Sequence, residues 1–160
     1  MTKVVYFNFN VGSAIEYVGN TFNSWLREIE GLDVVEIKEQ DQPFTLVNNL
    51  IKEKPSLIIL NEMYDKSSEP TFYYKKFFPS IKVVLLNHSW KSLLANENDT
   101  DNELEKIQLV FNRSFYNETC DFVLNLNYKP DNIEWPIYLK SKVFNAYFPV
   151  DSSYEVKVNG

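Results

Sequence analysis

The sequence predicts an α/β fold: a doubly wound, mostly parallel sheet of five to six strands between two layers of helices. Three observations predict it. Two short aliphatic runs, Leu57-Ile58-Ile59-Leu60 and Ile81-Lys82-Val83-Val84-Leu85-Leu86, read as strands buried on both faces, as in parallel sheets. Each run ends abruptly in polar residues, Asn61-Glu62-Met63-Tyr64-Asp65 in one case and Asn87-His88-Ser89-Trp90 in the other. Segments with helical apolar spacing separate the runs, so strands and helices alternate along the chain.

The elements follow in order. Residues 3–9 form strand one, and Gly12-Ser13 breaks it; Ser13 suits the N-cap of a helix over 14–30. Ile15, Val18, Phe22, Trp25, Leu26 and Ile29 give that helix one apolar stripe, and Gly31 suits its C-cap. Residues 33–37 form strand two. Asp41-Gln42-Pro43 turns the chain into helix two, 44–54, with Phe44, Leu46, Val47, Leu50 and Ile51 inward and Pro55 as its stop. Strand three is 57–61. Residues 63–69 read as a polar loop, and Pro70 suits the first turn of a short aromatic helix over 71–78. Strand four is 81–86, and 88–100 is a long loop with Asn96-Glu97-Asn98-Asp99 at its tip. Acidic residues open helix four, 101–118, whose buried stripe is expected at Leu104, Ile107, Leu109, Val110 and Phe111. Strand five is 121–126, a loop over 127–136 turns at Pro130-Asp131-Asn132, and 142–147 is strand six. Right-handed crossovers make this a three-layer, Rossmann-like domain over 1–151, with 152–160 as a tail or the start of a linker to a further domain. The expected strand order is 3-2-1-4-5, with six beside five.

Composition narrows the function. A chain of 160 residues suits one domain with a sizeable core. A formal net charge of −6 argues against a nucleic-acid binder that tracks phosphates. The single cysteine, Cys120, excludes a disulfide within the chain and a cysteine zinc cage, and it reads as a small buried hydrophobe. No apolar run approaches the roughly 18 residues of a membrane span, and the N-terminus has no leader pattern, so a cytoplasmic protein is expected. No histidine, cysteine or carboxylate spacing suggests a metal, and no cofactor is called for.

In open α/β sheets ligands bind beyond the carboxyl ends of the strands, at the switch point. With the expected order, that point lies between strands one and four, flanked by the loop after strand three. The loops there carry Asn8, Asn10, Gly12, Ser13, Asn61, Glu62, Tyr64, Asp65, Asn87, His88, Ser89 and Trp90. His88 is the only histidine, a candidate general base, and Glu62 is a carboxylate placed to orient it. Glu62 and Asp65 also suit acid–base work. Tyr64 and Trp90 offer surfaces for stacking on a sugar ring or base. Gly12 and Ser13 can bring backbone amides to a ligand, although Phe9-Asn10-Val11-Gly12-Ser13 is neither a dinucleotide fingerprint nor a P-loop.

Several segments resemble the N-terminal domain of a glycosyltransferase of the GT-B fold. They are Val11-Gly12-Ser13-Ala14 before a long amphipathic helix, Glu30-Gly31-Leu32-Asp33-Val34-Val35 entering strand two, and Lys54-Pro55-Ser56-Leu57-Ile58-Ile59 entering strand three. Strand four, ending at His88, and Val143-Phe144-Asn145-Ala146-Tyr147-Phe148-Pro149-Val150-Asp151 complete the likeness, which covers 3–151. The resemblance implies an acceptor-side domain of an enzyme that uses a nucleotide-sugar donor and a glycan or other acceptor. It implies that Gly12 and Ser13 approach the donor phosphate or transferred sugar, that His88 contacts the transferred sugar, and that Tyr64 and Trp90 line the acceptor side. The family's donor-binding domain, with its paired glutamates, has no counterpart in this sequence, so activity is expected only with a second domain or partner chain. Two other classes fit the residues. One is a stand-alone flavodoxin-like or nucleotide-binding module, with Tyr64 and Trp90 sandwiching a flavin. The other is a non-catalytic interaction domain that uses the aromatic stretch from Phe72 to Phe78.

Overall fold

The computed structural model describes residues 1–9, 13–38 and 43–146. The chain runs through β1 (Thr2–Asn8), α1 (Ala14–Glu28), β2 (Leu32–Ile37), α2 (Pro43–Glu53), β3 (Leu57–Asn61), α3 (Asp65–Phe77) and β4 (Lys82–Asn87). It continues through α4 (Trp90–Leu94), a 3-10 turn (Glu97–Asp99), α5 (Glu103–Ser114), a π turn (Phe115–Thr119), β5 (Phe122–Asn125), α6 (Ile137–Lys140) and β6 (Val143–Asn145). Each strand is parallel to its neighbours in one sheet of six, so the α/β, three-layer architecture is as the alternation predicts.

The strand order differs from the expected one. It is β2-β1-β3-β4-β5-β6, with β3 hydrogen-bonded directly to β1 and β2 at the sheet edge. The side chains explain the placement. Leu57-Ile58-Ile59-Leu60 is apolar on both faces and belongs in the sheet interior, whereas β2 carries Asp33 and Glu36, charges that an edge strand tolerates. The switch point therefore lies between β1 and β3, not between β1 and β4.

Strand alternation divides the core in two. Val5, Phe7, Ile58, Leu60, Val83, Leu85 and Val123 face one cluster, where Leu46 and Leu50 of α2, Tyr74 of α3, Leu93 of α4, Phe115 of the π turn and Leu139 of α6 meet them. Val4, Tyr6, Val34, Ile59 and Leu86 face the other, which is covered by Val18 and Leu26 of α1. Cys120 is buried, as its flanking sequence predicts.

Three helices depart from expectation, the first being α4, which lies with the 3-10 turn inside the stretch 88–100 expected as a loop. The polar stretch 63–69 is not all loop, because α3 begins at Asp65 and holds Pro70 in its interior. Ser67, Ser68 and Thr71 are buried there, and the Thr71 hydroxyl donates to the Ser67 carbonyl (2.7 Å). Their small size brings α3 close to the core, a use of polar residues that periodicity does not register. The expected stripe on α5 is overturned: Leu104 is 80% exposed, Ile107 67%, and no residue of α5 is fully buried. The helix reaches the core through its C-terminal end, where Phe111 packs on Phe72 and Phe115, and the burial lies in the π turn at Phe115 and Tyr116.

One partly buried carboxylate ties three elements together. Asp121 Oδ2 accepts from the Val83 backbone N–H (2.8 Å) and from Lys75 Nζ (2.5 Å), and Lys75 also donates to the Thr119 carbonyl (2.9 Å). Asp121→Ala leaves an amide and an ammonium without this acceptor, so a loss of about 1–3 kcal/mol is expected. Thermal unfolding checks it, with an expected fall of several degrees in Tm; an unchanged Tm would show the contacts to be inessential.

Candidate functional site

Five of the six strands end in asparagine: Asn8, Asn61, Asn87, Asn125 and Asn145. Parallel strands end on the same side, so these amides line one edge of the sheet. Asn61 Nδ2 donates to Asn8 Oδ1 (2.9 Å), Asn87 Nδ2 to Asn125 Oδ1 (3.2 Å), and Asn125 Nδ2 to Asn145 Oδ1 (3.3 Å). The same side chains hold the loops that follow. Asn87 Nδ2 donates to the Ser89 carbonyl (2.7 Å), and Asn125 Nδ2 makes the equivalent bond to the Asn127 carbonyl (2.7 Å). The signal is visible in retrospect as an apolar residue followed by Asn at each of these five strand ends.

His88 and Glu62 sit on this edge, beside the switch point. Glu62 follows β3 directly, in a left-handed conformation (φ 70°), which costs a non-glycine residue about 1 kcal/mol. That turn keeps its N–H on the Leu86 carbonyl (2.9 Å) and folds the carboxylate back over two backbone amides. Oε1 accepts from Met63 N (2.9 Å) and Oε2 from His88 N (3.2 Å). Strain of this kind concentrates at functional sites. The imidazole of His88 takes a different partner, with Nε2 2.7 Å from Asn61 Oδ1.

Burial dominates the electrostatics. It raises the Glu62 carboxyl above its ordinary value against the lowering effect of the Met63 and His88 amides, and it lowers the His88 imidazole to about 4. His88 is therefore neutral at pH 7. Burial, with Glu62 as the next contributor, pushes the Tyr116 hydroxyl up, which places that side chain within electrostatic reach of the site. A partly desolvated carboxyl and a neutral imidazole on one edge are groups that can exchange protons with a bound hydroxyl.

The structure brings together Asn8, Asn61, Glu62 and His88 of the predicted residues. Glu62 does not orient the His88 ring, as expected, but holds its backbone. Asn8 and Asn61 are buried under α1, where a Cβ on Gly19 would lie 2.1 Å from Asn61 Nδ2 and 2.3 Å from Asn8 Oδ1. Both amides are thus structural partners of α1 rather than surfaces open to a ligand. Asn87 is buried and occupied by Ser89, Ser92 and Asn125. Ser13 caps α1, its Oγ accepting from Glu16 N (3.3 Å). Tyr64 starts α3 with its ring 6.4 Å from that of Phe9, and Asp65 follows it, exposed. Ser89 and Trp90 open α4 on the other side of His88, where Trp90 N donates to Asn127 Oδ1 (2.9 Å). The Trp90 ring lies under Lys91, whose Nζ is 5.7 Å from its centroid. Asn10 and Gly12 lie outside the described residues, as do residues 147–160. Farther along the edge, Leu126, Asn127, Tyr128, Lys129, Asp131 and Asn145 line a cavity of about 390 Å³ that the sequence reading missed. Among the described residues, no three His, Cys, Asp or Glu side chains gather as a metal site, and no helix is long and apolar enough to cross a membrane.

No protein-family model matches the chain, and no curated protein sequence does. Solved structures similar to it include three of partial coverage. The S. aureus MnaA–UDP co-structure shares 10% identity at a TM-score of 0.48, over 78% of this chain and 38% of that one. An ABC transporter system solute-binding protein from Aeropyrum pernix K1 shares 16% at 0.44, over 79% and 28%. A novel cobalamin-binding protein from Desulfitobacterium hafniense DCB-2 shares 13% at 0.42, over 69% and 58%. The chain thus spans well short of the full length of each. One fold carries many activities, so function must be argued from the site.

Two outcomes test this geometry. Gly19→Ala forces the Asn8–Asn61 pair apart, and a net loss of about 1–3 kcal/mol is expected despite the better helix propensity of alanine; chemical denaturation that finds equal or greater stability would refute the close approach. His88 has its folded pKa below 6.5, so its contribution to stability is complete above about pH 6.5 and is lost as pH falls toward 4. Glu62, with a raised pKa, acts in the opposite sense: its stabilising term is present below its unfolded pKa and is lost as pH rises through the folded one. Replacing His88 by Gln should therefore flatten the loss of Tm between pH 7 and pH 5 by the equivalent of about 1 kcal/mol, allowing for partial solvation. Parallel pH profiles for the two proteins would contradict a buried neutral imidazole.

Proposed function

We propose that this chain is a nucleotide-sugar-associated α/β domain, the acceptor-side half of a glycosyltransferase, active when a second, donor-binding domain or partner chain closes over the carboxyl edge. The observation that carries the reading is the pairing of the strained, part-buried Glu62 with the neutral His88 beside the β1–β3 switch point. Glycosyl transfer asks one domain to hold an acceptor hydroxyl and remove its proton, and asks the other to stabilise the leaving diphosphate. Glu62 suits the first task. Its two carboxylate oxygens accept one backbone amide each, and a carboxylate has capacity for further hydrogen bonds. Farther along the edge, the 390 Å³ cavity lined by Asn127, Tyr128, Lys129 and Asp131 suits a polyhydroxylated ligand.

A second reading has its own support. Tyr73, Phe77 and Phe78 are exposed, Phe77 by 82%, and with Val47 and Ile51 they line an apolar groove of about 340 Å³ between α2 and α3. Apolar surface of this kind favours an interaction domain.

Ligand-induced thermal stabilisation separates the readings. A ligand at 100 times its Kd adds about 2.7 kcal/mol, which raises Tm by several degrees. A rise with nucleotide sugars or glycans, lost in Glu62→Gln and His88→Ala, is expected. A rise with flavin alone, or none with any sugar compound, would overturn the glycosyltransferase reading.

A further inference from the structure

Glu36 lies on the edge strand β2, and nothing in the sequence marks it as part of a site. It nevertheless ends a chain of hydrogen bonds that begins at His88. The imidazole Nε2 is 2.7 Å from Asn61 Oδ1, Asn61 Nδ2 donates to Asn8 Oδ1 (2.9 Å), and Asn8 Nδ2 donates to Glu36 Oε2 (3.0 Å). The two amides cannot be turned over. Asn61 Nδ2 has a second acceptor in the Ile15 carbonyl (3.0 Å), and Asn8 Nδ2 has one in Asn20 Oδ1 (2.8 Å). Both hydrogens of each NH₂ group are thus used, and a flip would set carbonyl oxygens against acceptors. With Asn61 Oδ1 facing the ring, the nitrogen opposite must be the donor.

We propose that Asn61, Asn8 and Glu36 are positioning residues that hold His88 as the Nε2–H tautomer. Every donor in the chain points the same way, toward the Glu36 carboxylate, so the bonds polarise one another in one sense. The tautomer places the ring's basic lone pair on Nδ1. Other titratable groups lie near it: the buried Tyr6 hydroxyl is within electrostatic reach of Glu36 and donates to the Gly19 carbonyl (2.9 Å). Glu62 accepts from the His88 backbone, Tyr116 is a buried hydroxyl, and Lys38 Nζ reaches Asn20 Oδ1 at 3.5 Å. The assignment concerns the imidazole itself and stands or falls apart from what the site binds.

His88 is the only histidine, so nitrogen-15 spectra of the whole chain contain one pair of imidazole resonances. At pH 7 the expected signature is a protonated Nε2 and an unprotonated Nδ1. In Asn61→Asp a carboxylate faces the ring, and the imidazole pKa should rise by one unit or more with the tautomer kept. Glu36→Gln keeps the shape and removes the terminal charge; faster exchange of the Nε2 proton and a growing Nδ1–H fraction are expected. A wild-type ring protonated on Nδ1, or an even mixture, would overturn the proposal. So would variants that lower Tm while leaving tautomer, exchange and pKa unmoved, which is the pattern of a merely structural role. Because Asn61→Asp can disturb α1, Glu36→Gln on the edge strand keeps the test open should the first variant fail to fold.

Discussion

Neutral amides at the carboxyl ends of the strands are the constraint on which the rest of this structure depends. A parallel sheet sends all its strands out at one edge, and the polar backbone groups of the departing loops need partners there. Asparagine supplies both a donor and an acceptor on a short stem, so one side chain can reach the next strand and its own loop at once, as Asn87 and Asn125 do. Aspartate at these positions would set like charges on strands about 4.8 Å apart. Leucine would leave the Ser89 and Asn127 carbonyls without these donors.

This neutrality shapes the candidate site. Burial is the first cause of both the raised Glu62 and the lowered His88. Desolvation pushes an acid and a base toward neutrality together, and it leaves a carboxyl and an imidazole that respond to a ligand's own charge and hydrogen bonds. The left-handed turn at Glu62 is what brings the carboxylate onto the edge, since an extended residue there would continue the strand.

The layers are uneven. Among the described residues, helices α2, α3, α4 and α6 and the π turn cover one face of the sheet, whereas α1 accounts for the helical packing on the other. Gly19 brings α1 within reach of the Asn8–Asn61 pair, and the Tyr6 hydroxyl donates to the Gly19 carbonyl (2.9 Å) to hold it there. On the same face, Phe122 of β5 and Phe144 of β6 stack with ring centres 5.9 Å apart and stay 42% and 52% exposed. Apolar surface is therefore left on both sides, at these rings and along α5.

The sequence by itself determined the class of fold, the position of each strand and the edge on which polar residues gather. These depend on local patterns: aliphatic runs, caps and breakers act within a few residues of each other. It also brought Asn61, Glu62 and His88 forward as candidates for a site. Tertiary structure alone decided the strand order, because pairing β3 rather than β4 with β1 depends on which strands tolerate an exposed edge, a comparison across the whole chain. It decided that α5 lies with Leu104 and Ile107 outward, since periodicity marks an apolar face and says nothing of what the face meets. It also decided the partners of the amides. An asparagine at a strand end has equal capacity for a ligand, a loop or a neighbouring strand. Only the packing of α1 against β1 and β3 turned Asn8 and Asn61 inward, toward Glu36 at one end and His88 at the other.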